Sequence, residues 1–184
     1  MEFTKMHGCG NNYIYFNCFD QTVPDPESLS IKLSEPHFGI GGDGIILISP
    51  SDKADAQMRI FNADGSEGKM CGNGIRCVGK YLYDNGMTDG RTTITIDTLS
   101  GVKTLELTVK DGKMQSARVD MGAAILAPRE IPVDMDGENV ISAPIVVDEK
   151  VYHMTCVSMG NPHCVIFQKE DVDDLDPVSY THLR

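Results

Sequence analysis

The chain has 184 residues, of which 41% are hydrophobic, and a formal net charge of -11 at pH 7. This length suffices for one hydrophobic core or two small ones, and the acidic charge argues against partners such as nucleic acid or anionic membranes. No long apolar run and no basic segment ahead of an apolar stretch occurs, so we expect a cytoplasmic protein without a membrane span or signal peptide.

The N-terminal part of the chain predicts two short strands, over residues 3–5 and 13–17, joined by a glycine-containing turn at 7–12. Asn11 and Asn12 have two alternative roles here, since their side chains either satisfy the turn or contact a ligand. A helix is predicted next, over residues 28–34. It ends before a proline, which disfavours a helical conformation in the preceding residue.

Residues 39–44 read G-x-G-x-x-G, the pattern of a dinucleotide-binding loop. That site requires a strand before the loop and a helix after it. Here no strand precedes the pattern, and residues 45–48 after it form a strand-like apolar run. We therefore reject a dinucleotide site and keep only the possibility of a glycine-rich loop close to a functional site.

The most informative stretch runs from a strand at 58–61 through an Asp-Gly turn into a helix at 73–84. The helix is indicated by apolar residues at Ile75, Val78 and Leu82, and it ends at an Asn-Gly pair. Cys71 therefore lies at the start of the helix. Cys77, six residues later, points to another side of the helix and is expected in the core.

A cysteine at a helix start has a distinctive chemistry. The free backbone N–H groups and the positive end of the helix dipole favour a thiolate, and the same N–H groups can hold a carboxylate. Gly72 and Gly74 keep side chains away from that backbone. This pattern suits proton transfer at the α-carbon of a carboxylate, or nucleophilic attack. The alternative is a buried cysteine that caps the helix without any chemical role.

The remaining chain is predicted to be mostly β. Strands are expected at 92–98, 103–109, 114–121, 143–148, 151–158 and 164–167, with a hairpin turn at Asp111-Gly112 and a domain crossover at 122–129. A strand, a Gly-Asn turn and a second strand occur both around Gly10 and around Gly160. This faint repeat fits two similar domains.

Five segments together resemble the diaminopimelate epimerase family, in the expected order along the chain. They are residues 5–12, 41–44, 61–66, 70–77 and 160–163. The resemblance implies an α+β fold of two pseudo-symmetric domains, 1–121 and 122–184, each a curled, mostly antiparallel sheet around a central helix, with the second domain incomplete. It also implies a cofactor-independent isomerase that interconverts L,L- and meso-diaminopimelate for lysine and peptidoglycan synthesis, with a homodimer in the full-length protein.

The same resemblance implies roles for seven residues and no metal site. It implies that Cys71 is one of two catalytic cysteines. It also implies that His163 adjusts the pKa of a catalytic thiol. The substrate-binding positions are Asn11, Asn62, Gly72, Asn73 and Asn161. Two thiols are needed because inversion of an α-carbon removes a proton from one face and adds one to the other.

The chain also departs from the family pattern. The second catalytic cysteine, expected at another helix start after a Glu-Arg pair, has no counterpart, because Cys156 and Cys164 lie in strand-like sequence. We therefore expect a chain that ends within the second domain and does not epimerise by itself. Residues 177–184 fit no family pattern, so His182 is not a site candidate.

Two alternative functions remain. One is a related racemase or dehydratase acting on another amino acid, although three asparagines favour a substrate with a second polar end. The other is a thiol redox or metal-binding protein that would use His7, Cys9, Cys71 and His163. The six cysteines are irregularly spaced and contain no Cys-x-x-Cys pair, which argues against a metal site or a disulfide scaffold.

Overall fold

The computed structural model describes residues 1–147 and 149–174. It separates into two compact units, the first spanning Met1–Met121 and the second beginning at Gly122. Asp148, the predicted end of one strand, and residues 177–184, including His182, lie outside the described residues. No helix in the described part of the chain is long and apolar enough to cross a membrane.

The first unit is a mixed sheet with two helices. Its elements are β1 Thr4–Gly8, β2 Asn11–Asn17, α1 Pro26–Ser34, β3 Gly44–Ser49, β4 Ala56–Asn62, β5 Glu67–Gly68, α2 Gly72–Asp84, β6 Thr93–Asp97, β7 Lys103–Lys110 and β8 Lys113–Val119. The strands follow the order β1-β2-β3-β4-β6-β7-β8, with β5 paired to β4. The pairs β2–β3 and β4–β6 are parallel and the others are antiparallel.

The sheet curls around α2. Both edge strands, β1 and β8, contact this helix, which is possible only if the two ends of the sheet bend toward the same side. The helix buries one face, including Ile75, Val78 and Leu82, against β-strand residues such as Ile46 and Ile94. The curled sheet around a central helix confirms the predicted architecture of this unit.

The other face of the sheet is covered by α1. Alternate residues of β2 and β3 point to this side, where Ile14, Phe16, Ile45 and Leu47 pack with residues of α1 such as Leu29. Because both faces are covered, the central strands read as continuous apolar runs rather than as an alternating pattern.

Two turns have backbone conformations that explain their sequences. The predicted hairpin between β7 and β8 is confirmed, with positive φ values of 54° at Asp111 and 72° at Gly112. The β1–β2 turn differs from the prediction. Gly8 still belongs to β1, and the turn consists of Cys9 and Gly10, with φ values of 52° and 82°. Asn11 is therefore the first residue of β2 and not part of the turn.

The second unit is a small antiparallel sheet in the order β11-β10-β9, formed by β9 Val140–Val147, β10 Lys150–Ser158 and β11 Pro162–Ile166. Short 3₁₀ turns occur at Pro128–Glu130 and Val172–Asp174, and no α-helix occurs in the described part of this unit. Its core consists of Val140, Met154 and Cys156, with a few half-buried neighbours.

One detail of this sheet corrects the sequence analysis. The Gly-Asn turn around Gly160 is shorter than the gap between the strands predicted at 151–158 and 164–167, because Pro162 and His163 already pair with β10 opposite Ser158 and Val157. Pro162 is tolerated as the first residue of an edge strand, since its missing N–H costs no ladder hydrogen bond there.

Candidate active site

Cys71 is the N-cap residue of α2. Its backbone is extended, with φ −138° and ψ 109°, and its Sγ accepts a hydrogen bond from the Gly74 N–H at 3.2 Å. Its carbonyl accepts the first intrahelical bond, from the Ile75 N–H at 2.9 Å. The predicted position at the helix start is thus confirmed, and the half-buried sulfur lies where a negative charge is stabilised.

The N–H groups of Gly72 and Asn73 lie in the same first turn, ahead of the first intrahelical hydrogen bond. Groups in this position have no partner within the helix. Space around Gly72 is open, since a Cβ built there meets nothing nearer than the Met121 Cε at 3.9 Å. A carboxylate could therefore approach these two N–H groups.

Gly74 has a different reason to be glycine. A Cβ at this position would lie 2.7 Å from the Ile46 Cδ1 in the core. The residue is buried, so its missing side chain serves the packing of α2 on β3. Our expectation that Gly74 opens the backbone to a ligand was therefore wrong.

Asn11 contacts the candidate thiol directly. Its Nδ2 donates to the Cys71 Sγ at 3.5 Å, and the start of β2 holds it there. The backbone of Asn12 is held by Asp43. Its N–H donates to the Asp43 Oδ2 at 2.6 Å, and its carbonyl accepts from the Asp43 N–H at 2.6 Å. Ligand contact by either asparagine side chain stays a prediction.

Asn62 ends β4, directly opposite Gly44 at the start of β3. Its Nδ2 donates to the Ser66 Oγ at 3.0 Å, within a turn that Asp64 also stabilises through Ser66. Gly44 pairs on its other side with Tyr13, two residues after Asn11. Asn11 and Asn62 therefore lie at the same end of the sheet.

Arg76 is a residue that the sequence analysis missed. From the second turn of α2 its Nε donates to the Gly72 carbonyl at 3.2 Å, and its Nη2 donates to the Asn73 Oδ1 and contacts the Cys9 Sγ at 3.5 Å. Its guanidinium thus ties the helix start to the β1–β2 turn. Arg76 lies three residues after Asn73 and four after Gly72, and residues at these spacings are neighbours on a helix. The sequence could have indicated these contacts in this way.

Tyr13 also lies close to Cys71. Burial, and next the charges of Cys71 and Asp43, raise the pKa of its phenol to about 12. The phenol is therefore neutral at physiological pH and keeps a proton that it can donate. Nothing in the sequence distinguishes this tyrosine from the other apolar residues of β2.

Two of the predicted site residues belong to the second unit. His163 and Asn161 are exposed and adjacent, with the His163 Nε2 3.1 Å from the Asn161 Oδ1. Cys156 and Cys164 lie in β10 and β11, as their sequence context predicted. Among the described residues, no three His, Cys, Asp or Glu side chains come together as a metal site.

Comparisons with known proteins agree with these motifs. A family model described as diaminopimelate epimerase matches residues 3–127. The chain is 54% identical to the diaminopimelate epimerase of Acetivibrio thermocellus, covering 97% of this chain and 64% of that protein. It is 55% identical to that of Agathobacter rectalis, covering 95% and 62%. The chain thus spans less than two thirds of the length of these relatives.

Solved structures show the same fold at low identity. A hydroxyproline epimerase from Agrobacterium vitis matches with a TM-score of 0.67 and 17% identity, over 89% of this chain and 50% of that one. A probable proline racemase from Agrobacterium radiobacter matches with a TM-score of 0.65 and 15% identity, over 89% and 51%. The two-domain α+β class predicted from the sequence is confirmed.

Proposed function

This chain belongs to the diaminopimelate epimerase family, and we propose that it carries one half of an epimerase active site, with Cys71 as a catalytic thiol. The observation that carries the proposal is the Cys71 Sγ at the N-cap of α2, where it accepts hydrogen bonds from Gly74 and Asn11. These donors stabilise a thiolate, which is the form that can remove a proton.

The proposed reaction begins when the Cys71 thiolate takes the α-proton of an amino acid and becomes a thiol. The electron pair left on the α-carbon delocalises into the substrate carboxylate. The N–H groups of Gly72 and Asn73 would bind that carboxylate and stabilise the added charge. No cofactor is needed for this step, because the helix start supplies the electrostatic stabilisation.

Inversion then requires a second acid to protonate the opposite face of the carbon. Among the described residues no second cysteine lies at a helix start, since Cys156 and Cys164 lie in strands. We therefore propose that the 184 residues by themselves do not invert the substrate. Their role is to supply Cys71 and part of the substrate-binding surface.

The finer assignments follow the family resemblance. We propose L,L- and meso-2,6-diaminopimelate as substrates, a cytoplasmic location and a homodimer in the full-length protein. The first domain comprises residues 1–121 and the incomplete second domain residues 122–184. Substrate binding is assigned to Asn11, Asn62, Gly72, Asn73 and Asn161, and tuning of a catalytic thiol to His163.

The test is solvent deuterium incorporation at the α-carbon of diaminopimelate, followed by NMR. Four proteins are compared: this chain, a version extended with the remaining segment of the Acetivibrio thermocellus relative, and Cys71→Ala and Cys18→Ser variants of that extended version. Cys18 is the matched control, because it is also half-buried but follows the end of β2 opposite to Asn11, where its Sγ contacts the Phe16 carbonyl at 3.8 Å.

We expect exchange with inversion only in the extended protein and its Cys18→Ser variant. Inversion by the short chain would contradict the proposal, because a second proton donor would then lie within these residues. If the extended protein were silent with diaminopimelate but active with another amino acid, the substrate assignment would be wrong and the related-racemase alternative would take its place.

A further inference from the structure

Three sulfur atoms lie together on one face of the second unit's sheet. Met154 and Cys156 are two residues apart on β10 and so point to the same face. Cys164 lies directly opposite Cys156 on β11. The Met154 Sδ is 4.0 Å from the Cys156 Sγ and 3.9 Å from the Cys164 Sγ.

This spacing fits a trigonal metal ion. A metal about 2.3 Å from each of three sulfurs in a plane separates the sulfurs from one another by about 4.0 Å. The Met154 Sδ already lies at this distance from both thiol sulfurs. From this geometry we propose that Met154, Cys156 and Cys164 bind a soft monovalent cation, Cu(I).

The donor set favours this ion over the commoner zinc. Two thiolates and a thioether are soft ligands, which select Cu(I). A structural zinc site needs four ligands, most often from cysteine and histidine. The described residues offer no third His, Cys, Asp or Glu beside this pair. Zinc would therefore bind here far more weakly than Cu(I).

The binding step balances without any change of oxidation state. Cu(I) displaces one proton from each thiol, two sulfur–copper bonds form with thiolates and one with the thioether, and the site gains a net charge of −1. The exposed Cys164 provides the path of entry.

The experiment is an anaerobic competition for Cu(I) against a coloured chelator, in the presence of a reductant. It uses the full chain in a Cys9→Ser/Cys18→Ser/Cys71→Ala background, so that the exposed and half-buried thiols of the first unit do not compete. Met154→Leu and Cys164→Ser remove one ligand each with little change in volume. Met135→Leu is the matched control, because Met135 packs in the same core cluster without belonging to the sulfur triad.

We expect one Cu(I) per chain, unchanged affinity in Met135→Leu, and at least about a tenfold loss in Met154→Leu and in Cys164→Ser. X-ray absorption at the copper edge should show three sulfur neighbours at about 2.3 Å. Circular dichroism establishes that each variant retains its sheet.

Three results would overturn the proposal. One is equal affinity in Cys164→Ser and the parent. Another is that Met154→Leu binds Cu(I) as tightly as Met135→Leu does, which would show that the Met154 thioether is not a ligand. The third is a Cys156–Cys164 disulfide that survives the reductant and leaves the chain unable to take up copper. None of these outcomes depends on Cys71, so the result is independent of the proposed epimerase chemistry.

Discussion

Asn11 is the side chain whose removal should act on Cys71 most directly. Its Nδ2 donates to the Cys71 Sγ, and a hydrogen bond to a charged group stabilises that charge. We expect Asn11→Ala to slow alkylation of Cys71 about fivefold at neutral pH, which corresponds to ~1 kcal/mol of lost thiolate stabilisation. Mass spectrometry of the Cys71 peptide measures the rate.

Asn17→Ala provides the control for this prediction. Asn17 lies at the other end of β2, where its Nδ2 donates to the Asp20 Oδ2 at 3.2 Å. Removal of the Asn17 amide should leave the alkylation rate of Cys71 unchanged. Equal rates in Asn11→Ala and Asn17→Ala would show that the Asn11 amide does not stabilise the thiolate.

The two glycines of the helix start make a second prediction at this scale. Gly74→Ala places a methyl group 2.7 Å from the Ile46 Cδ1 and should destabilise the chain by about 1–3 kcal/mol, despite the better helix propensity of alanine. Gly72→Ala brings its methyl group no closer than ordinary contact, 3.9 Å from the Met121 Cε, and should change stability by less than about 0.5 kcal/mol. Urea unfolding followed by circular dichroism compares them, and equal midpoints would contradict our interpretation of Gly74.

At the scale of elements, the Asp55 side chain links the start of β4 to β6 through hydrogen bonds. Its Oδ1 accepts from the Arg91 Nη2 at 2.7 Å and its Oδ2 from the Thr95 N–H at 2.7 Å. The hydrogen bond from Arg91, above all, lowers the pKa of the Asp55 carboxyl. A carboxyl whose folded pKa is lowered contributes stability above its unfolded pKa and loses it as pH falls through the folded pKa.

We therefore expect stability to fall as pH drops below about 4, the ordinary pKa of aspartate, and Asp55→Asn to remove part of that dependence. At pH 7 the substitution should cost about 1 kcal/mol in urea unfolding. Glu106→Gln is the control, because its ion pair with Arg118 is long and exposed and contributes little. If the free energy of unfolding of Asp55→Asn changed with pH in the same way as that of the parent, this role of Asp55 would be ruled out.

Local patterns sufficed to predict several elements but not their long-range pairing. Apolar spacing and the flanking glycines predicted α2 with Cys71 at its start, and Asp111-Gly112 predicted the β7–β8 hairpin. The parallel pairs β2–β3 and β4–β6 depend on contacts across long connections, which no local pattern encodes. The Arg76 contact with Cys9 likewise depends on long-range packing, whereas the sulfur triad depends on the register of the β10–β11 hairpin.

At the scale of the whole molecule, the two units differ in how much apolar surface they bury. In the described part of the second unit, the core cluster holds three buried apolar side chains, whereas Ile141, Val146 and Val151 are largely exposed. Within residues 122–147 and 149–174, the outer strands β9 and β11 each pair with another strand on one side only, which leaves edges that are open to exchange. Such a sheet opens at a lower free energy than the first unit does.

Hydrogen exchange should reveal this difference. We expect amides of β10 and β11 to exchange at least about a hundredfold faster than those of β6 and β7, which lie within the larger core. Mass spectrometry of peptides covering 151–167 and 94–109 compares the two sets. Equal protection would mean that the second unit is as stable as the first.

The contact of α2 with both edge strands also sets an order of events during synthesis. The helix ends at Asp84, but β8, which closes the sheet around it, ends 35 residues later at Val119. At about 5–20 residues per second, the ribosome needs roughly 2–7 s to make that segment. Throughout this interval the apolar face of the helix has no completed sheet to cover it, and chaperones that bind nascent chains have a defined target.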